Sequence, residues 1–484
     1  MEALTWTGLL GPILNPLMLA AFTVFMIAFV SNLGLALAGI RPAEVEVSLD
    51  GTVTLAKTPS DYALMTMKYA TLIFVVCILL YVLQGIFVPG LEQKGILGAM
   101  AQRFLPVWIA LIVLFTISAI FRERLGLYGK LFESPVGLIG FGLVMFWVFT
   151  AIFATYIGTH PPLEQIPALR NQNGPPGSAL PAGTEGYPFY LLGGDNLGRD
   201  VFSRMVLGAA DVLTIAPLAT LFAFMVGITL GLPAGYLGGR IDTVLTFIAN
   251  LVLAFPVLLL FFLLVTPEIV AAGIPVYMAA VLFLFPIIFF VVLFNSRFHT
   301  RPPTRNLLVA ITLVIGAWAY LSILSDPNSD VVNFMPAVLD VVPMDGNLLI
   351  VFVSVVFVNS PTVFRIVRGI TLDVQTRDYV AAAQTRGEGP WYIMLWEILP
   401  NARGPLIVDF CLRIGYTTIL LGTLGFFGLG VSPESPDWGS TINEGRRLLT
   451  LAPHPALAPA LALMSLVLGL NLLADGLREE SLKD

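Results

Sequence analysis

Apolar residues along this chain come in long unbroken blocks, at about 11–39, 63–88, 104–121, 136–158, 205–236, 243–266, 274–296, 306–325, 346–366, 404–430 and 455–475. A membrane-spanning helix needs roughly 20 mostly apolar residues, and each block is of that order. The pattern predicts eleven spanning helices, or ten if one early block is re-entrant. Barrel strands would appear as alternating stretches of about ten residues with a polar lumen side, and these blocks do not alternate. The expected fold class is all-α, a polytopic membrane protein.

Composition agrees. Of 484 residues, 57 % are hydrophobic and 12 % charged, and the mean hydropathy is +0.88. Soluble domains carry about 25 % charged residues, and so few charges cannot cover this much apolar surface. Lys and Arg in short loops set orientation. Arg122, Arg124 and Lys130, then Arg297, Arg301 and Arg305, then Arg368, Arg377, Arg386 and Arg403 mark three loops as cytoplasmic. The stretch 326–345 holds Asp326, Asp330, Asp340 and Asp345 and no basic residue. Segments 159–204 and 431–453 then face outside, the C-terminus lies inside, and the N-terminus outside. Around Asp50-Gly51 the stretch 44–57 alternates, which predicts a small hairpin.

Several kinds of chemistry are excluded. Cys77 and Cys411 lie in apolar runs and read as small buried hydrophobes. His160, His299 and His454 are isolated, with no HExxH or CxxC spacing, so no metal or haem site is expected. A net charge of −6 offers no basic field for nucleic acid. Without a GxxxxGK[ST] loop the chain is not expected to bind ATP itself.

Three polar segments remain. The first, Gly194 to Arg204, precedes a long apolar block. Asp195 or Asn196 there can cap a short helix, with Val201 and Phe202 dipping into the interface while the charges stay wet. A plain interfacial entry to the next span is the competing reading. The second is the loop 367–403, where a helix-favouring run from Tyr379 to Ala383 is broken at Gly387 and Gly389-Pro390 and followed by an amphipathic stretch ending at Pro400. Docked in a partner's groove, such a pair of short helices would use Ala382, Trp391, Ile393, Met394 and Ile398 as anchors; the alternative is two helices lying flat on the membrane. The third runs from Gly428 to Gly439, where a tight re-entrant turn and a headgroup-level Trp438 are expected. Gly227, Gly231, Gly235 and Gly239 share one helix face and suit close backbone packing. Among charges inside or near spans (Lys68, Asp211, Asp409, Arg413, Asp475), Asp409 and Arg413 stand four apart and predict a local ion pair.

Taken in order, these segments resemble the inner-membrane permease subunits of ABC importers for dipeptides and oligopeptides, the subunit type with the GxDNLGRDVFSR signature. Residues 193–204 carry that signature nearly complete, and Ala254-Phe255-Pro256, after Asp242 and Leu251, resembles the family's following helix. Tyr379 to Pro400 resembles its coupling segment, with Gly387 as the central glycine and Ile398-Leu399-Pro400 as the closing element. Phe427 to Val431, Pro436, Trp438 to Ser440, Asn443 to Arg446 and Asn471 to Arg478 continue the match. The chain departs from the family at Ala381, where a glutamate is usual, and in residues 1–135 and a helix pair near 274–325.

The resemblance implies a type I importer-like permease core of six helices with about five additional spans. Residues 1–135 would be additional N-terminal segments, and 136–484 the permease domain with its inserted pair. It also implies half of a translocation pathway for di- and oligopeptides in a bacterial or archaeal cytoplasmic membrane. The partners implied are a homologous second permease, two cytoplasmic ATPases using ATP and Mg, an extracytoplasmic substrate-binding protein, and membrane lipid; no cofactor is expected on this chain. The site residues carried over are Tyr379, Ala381, Ala382, Ala383, Gly387, Trp391, Ile398, Leu399 and Pro400 for ATPase coupling, and Asp195, Asn196, Gly198, Arg199 and Asp200 for the external motif. A secondary transporter, or an importer of nickel or another small solute, stays open beside it.

Overall fold

The computed structural model describes residues 3–40, 58–166, 172–325, 335–336, 338–340, 346–429 and 435–481. The hairpin expected at 44–57 lies outside the described residues. The described chain forms two compact units, one of residues 1–106 with 165–202, the other of 107–164 with 203–484.

The first unit is built on α1 (Gly11–Leu37), α2 (Pro59–Phe87) and α3 (Leu91–Arg103). Bonds from Ser60 to Asn32 (2.8 Å) and from Tyr81 to Asn15 (2.6 Å) show α1 and α2 running antiparallel. Thr58 and Asp61 close a reciprocal capping box on α2, supplying partners to two otherwise orphaned amides. At the α2–α3 contact the backbone of Gly98 lies where a Cβ on Gly85 would sit, so only glycine fits. Residues 165–202 join this unit through a bond from the Leu4 amide to the Gly177 carbonyl (2.9 Å). There β1 (Ser178–Ala179) pairs antiparallel with β2 (Phe189–Tyr190). The compact units therefore divide the chain elsewhere than at the boundary expected between 135 and 136.

The second unit takes most of α4 (Leu105–Phe121), then α5 (Pro135–Ile152), α6 (Val201–Leu237), α7 (Gly239–Leu253), α8 (Val257–Val265), α9 (Ile274–Leu282), α10 (Leu284–Arg297) and α11 (Pro302–Leu324). It continues with α12 (Gly346–Val374), α13 (Asp378–Thr385), α14 (Arg403–Phe426), α15 (Trp438–Gly445) and α16 (His454–Ser481). Among the described residues of both units, ten segments are long and apolar enough to span a membrane, α9 and α10 counting as one. The pair α7–α8, bent by 81°, brings the number to eleven if it is a single span. The bend falls at Phe255-Pro256, where proline lacks the amide and disfavours helix in the residue before it.

Small residues bring the spans together. Gly227, Gly231 and Gly235 of α6 pack against Val363, Val367 and Thr371 of α12, so close that a Cβ would collide. Gly239 does not share that face: it starts the next helix with φ +57° and meets nothing, because the chain turns at Gly238-Gly239. Gly137 and Gly140 of α5 meet α16 at Gly476 and at Gly469 to Leu473 in the same way. In a bilayer such close approach replaces the missing hydrophobic drive between helices.

Candidate functional site

Between α12 and α14 the chain forms a knob of two short helical pieces. The first is α13. Its last carbonyls are met by the Gly387 amide on Gln384 O (2.9 Å) and the Glu388 amide on Ala383 O (3.2 Å). That pattern needs a left-handed residue at the helix end, and Gly387 supplies it with φ +78°. The second piece begins with Gly389 as N-cap and Pro390 in its first turn. It widens into a π-helical turn over Ile393–Ile398, because Pro400 cannot donate to the carbonyl one turn back and its ring crowds it. Arg386 and Glu397 tie the two pieces with a 2.7 Å ion pair.

One face of the knob is mounted on the unit's core. Val380, Ala383, Ile393, Met394, Leu395 and Ile398 are buried in a cluster with Leu232, Val363, Val367 and Leu406, and Tyr379 and Leu399 pack at its margin. Ile393, Met394 and Ile398 thus face inward and are not free anchors for a partner; the wide turn at 393–398 directs them to α6 and α12. Ala381, Ala382, Gly387, Pro400 and Trp391, the last 39 % exposed, form the open face.

The far end of α14 is closed by a polar cluster. Arg204, fully buried, directs Nη2 to Thr441 Oγ1 (3.0 Å), the Ser435 carbonyl (3.2 Å) and Glu444 Oε2 (3.4 Å). Trp438 is also fully buried, donating to the Met205 carbonyl (2.8 Å) and standing edge-to-face on Trp147 at 5.1 Å. It is therefore an internal clamp and not a headgroup-level tryptophan: Gly208 leaves the space that its ring fills. Asp437 caps α15 by accepting from the Ser440 amide (2.8 Å). Burial first, and then the charge of Asp211, push the Asp437 carboxyl up to about 6. On α14 itself Asp409 and Arg413 form the expected pair at 2.7 Å. Residues 430–434 of the expected re-entrant turn lie outside the described residues.

In the first unit, the signature segment folds on itself. Asp195 Oδ1 accepts the amides of Leu197 and Arg199, both at 2.9 Å, while Oδ2 takes Arg199 Nε at 2.6 Å. Gly198, at φ +77°, turns the loop and offers its carbonyl to the Tyr190 hydroxyl. Asp195 and Arg199 are each 2 % exposed and Asp200 1 %. The charges expected to stay wet are thus buried and bonded, and Val201 and Phe202 are packed inside protein. Asn196 alone of the five motif residues is exposed.

Sequence reasoning missed what the inserted helices touch. Ser296 Oγ accepts from Trp396 Nε1 (3.2 Å), Arg297 stacks over the Trp396 ring at 4.7 Å, and His299 stands edge-on to Tyr392. Phe289, Val292 and Leu293 pack on the knob's buried cluster. Arg297 carried a signal only as a topology marker, since nothing in its local sequence names a residue nearly a hundred positions on.

A glutathione transport system permease protein of Pectobacterium atrosepticum is 30% identical over 290 residues, 60% of this chain and 71% of that one. A dipeptide transport system permease protein of Haemophilus influenzae is 28% identical over 351 residues, 72% and 90% of the two chains. One of Alkalihalophilus pseudofirmus is 26% identical over 352 residues, 73% and 87%. Residues 227–479, which hold α12, the knob, α14, α15 and nearly all of α16, match the family described as binding-protein-dependent transport system inner membrane component, and the chain belongs to that family.

Proposed function

We propose that this chain forms half of the membrane pathway of an ATP-driven importer of small peptides, and that the 378–401 knob engages a separate ATPase. The observation that carries the reading is the knob itself. It is a two-helix projection inside the family-matched region, packed on the core by one face and open along Ala381, Ala382, Gly387 and Trp391. The Lys and Arg of the short loops support a cytoplasmic knob, and the same reading puts the C-terminus on that side and the N-terminus outside.

The geometry suggests how force would travel. The knob continues directly into α14, whose 24 residues carry a displacement about 36 Å, at 1.5 Å per residue, to α15 and the Arg204 cluster. An ATPase dimer that holds the knob differently in its open and closed states would bias α14 and α12 between two arrangements; without that difference it would shift nothing. The other members of the assembly are a homologous permease, a second ATPase copy and an external substrate-binding protein, with ATP and Mg used by the ATPases. The relatives named for glutathione and dipeptides support short peptides as cargo.

The test is co-purification followed by reconstitution. A second permease and two ATPases should accompany the chain, with hydrolysis stimulated by a binding protein loaded with a dipeptide or glutathione. A chain that purifies alone and carries peptides without any ATPase would overturn the reading.

A further inference from the structure

The inserted helices enclose a cavity of about 300 Å³ against α6, walled by Phe222, Phe283, Phe290, Ile311, Ile315 and Ala319 among others. Its two hydroxyls are already used: Thr312 donates to the Leu308 carbonyl (2.9 Å) and Tyr320 to the Ala280 carbonyl (2.9 Å). Both hydroxyls have spent their donors and the other lining side chains are apolar, so the cavity suits hydrocarbon better than a polar solute. Phe290, Ile311 and Ile315, at its margin, are exposed on helices apolar enough to span the bilayer.

At the turn between α10 and α11 stand Arg297, Arg301 and Arg305, and none of them forms an ion pair among the described residues. Arg297 lies on Trp396, Arg301 is exposed, and the Arg305 guanidinium bonds, among the described residues, to the neighbouring Asn306 side chain alone. Along α11 the distance from Arg305 to Ile311 is about 9 Å and to Ile323 about 27 Å. A phospholipid phosphate sits just outside a hydrocarbon leaflet of about 15 Å. A phosphate held at Arg301 and Arg305 therefore lays its acyl chains along the cavity.

We propose that the α10–α11 turn and the cavity beside it form a binding site for one anionic phospholipid, its phosphate on Arg301 and Arg305 and an acyl chain against Phe222, Phe290 and Ile315. Basic residues at the end of a spanning helix attract anionic headgroups, and here the apolar groove adds a seat for the chain. Because Arg297 of the same turn stacks on the knob, an occupied site stiffens the knob's mounting.

The site is tested on the purified full chain, delipidated and exposed to equal phosphatidylglycerol and phosphatidylcholine, with retained lipid read by native mass spectrometry. Phosphatidylglycerol should be retained on the order of tenfold over phosphatidylcholine, and R301Q/R305Q should remove that excess without changing thermal stability. A319F, which fills the cavity, should remove it as well. Equal retention of the two lipids, or an excess that survives R301Q/R305Q, overturns the site. Displacement of the lipid by inorganic phosphate at matched concentration would reduce the site to a free-phosphate contact and overturn the acyl seat. The readout is lipid on the chain, so it stands or falls separately from peptide transport.

Discussion

At the Phe426 end of α14, Arg204 and Trp438 are wholly buried, Arg204 bonding to the loop and helix of 435–444 and Trp438, in that helix, donating to the Met205 carbonyl. At the Arg403 end, the knob buries six side chains and leaves a small apolar face uncovered. The first end holds shape: its buried polar side chains bond across from α6 to the segment 435–444. The second spends its hydrogen bonds on its own turn and presents side chains whose removal costs the fold little. Mutations at the two ends should therefore separate into two phenotypes, loss of the fold at one and loss of coupling at the other.

The sharpest break is Gly387→Pro. Proline holds φ near −65° where the chain needs +78°, and it removes the amide that bonds Gln384 O. The position is exposed with nothing beside it, so the spans should insert at normal levels. Coupled uptake should be lost altogether, with no ATPase co-purifying. Normal association and uptake in this variant would remove the knob from the coupling role. Arg204→Met should show the opposite pattern. Arg204 is fully buried and its Glu444 partner partly so, so the loss should be at most the roughly 3–5 kcal/mol of a broken buried ion pair, read as a lower Tm in detergent, while the fraction that remains folded still binds ATPase.

A third test stays at the clamped end and uses pH. Asp437 titrates at about 6 in the folded chain, above its ordinary 3.8, so the folded state holds that proton more tightly than the unfolded. Its contribution favours folding at low pH and is lost as pH rises from about 4 to about 6, a swing of roughly 3 kcal/mol at most. Comparing Tm against pH for the chain and for Asp437→Asn, which keeps the cap but cannot ionise, isolates it. The two curves should diverge below pH 6; parallel curves would show that Asp437 has an ordinary pKa.

Local signals were legible in the sequence, and distant ones were not. The spans followed from unbroken apolar blocks, the Asp409–Arg413 pair from its spacing, and the Gly387 turn from a glycine after a helix-favouring run. The inward turn of Ile393, Met394 and Ile398 depends on a π-helical register that amphipathic spacing does not encode. Trp438 was misplaced because a tryptophan near a span end looks the same whether lipid or Trp147 receives it. The wetness expected for Asp195, Arg199 and Asp200 failed for a related reason: charges on a loop read as solvated until a fold supplies each with a partner. The contact between Arg297 and Trp396 joins residues a hundred positions apart, and only packing creates it.

The smallest effect belongs to Ala381, which stands where the resembling family usually has glutamate. Ala381 is exposed on α13, midway along the knob's open face. Arg377 lies one turn before it and already reaches Asp373 at 3.6 Å, both side chains well exposed. Ala381→Glu would compete for that arginine with the basic residue N-terminal to the acid, the weaker orientation, so the fold should change by no more than about 0.3 kcal/mol. If the knob's open face meets an ATPase groove, a carboxylate at its centre adds one charge-assisted contact, and ATPase affinity should rise by a factor of about ten at most. Weaker binding on introducing the glutamate would mean that the partner groove has been shaped around alanine, with an apolar or acidic wall at that point. Titrating ATPase onto the two permeases in nanodiscs at low and high salt separates these cases, since only a new ion pair makes the gain fade as salt rises.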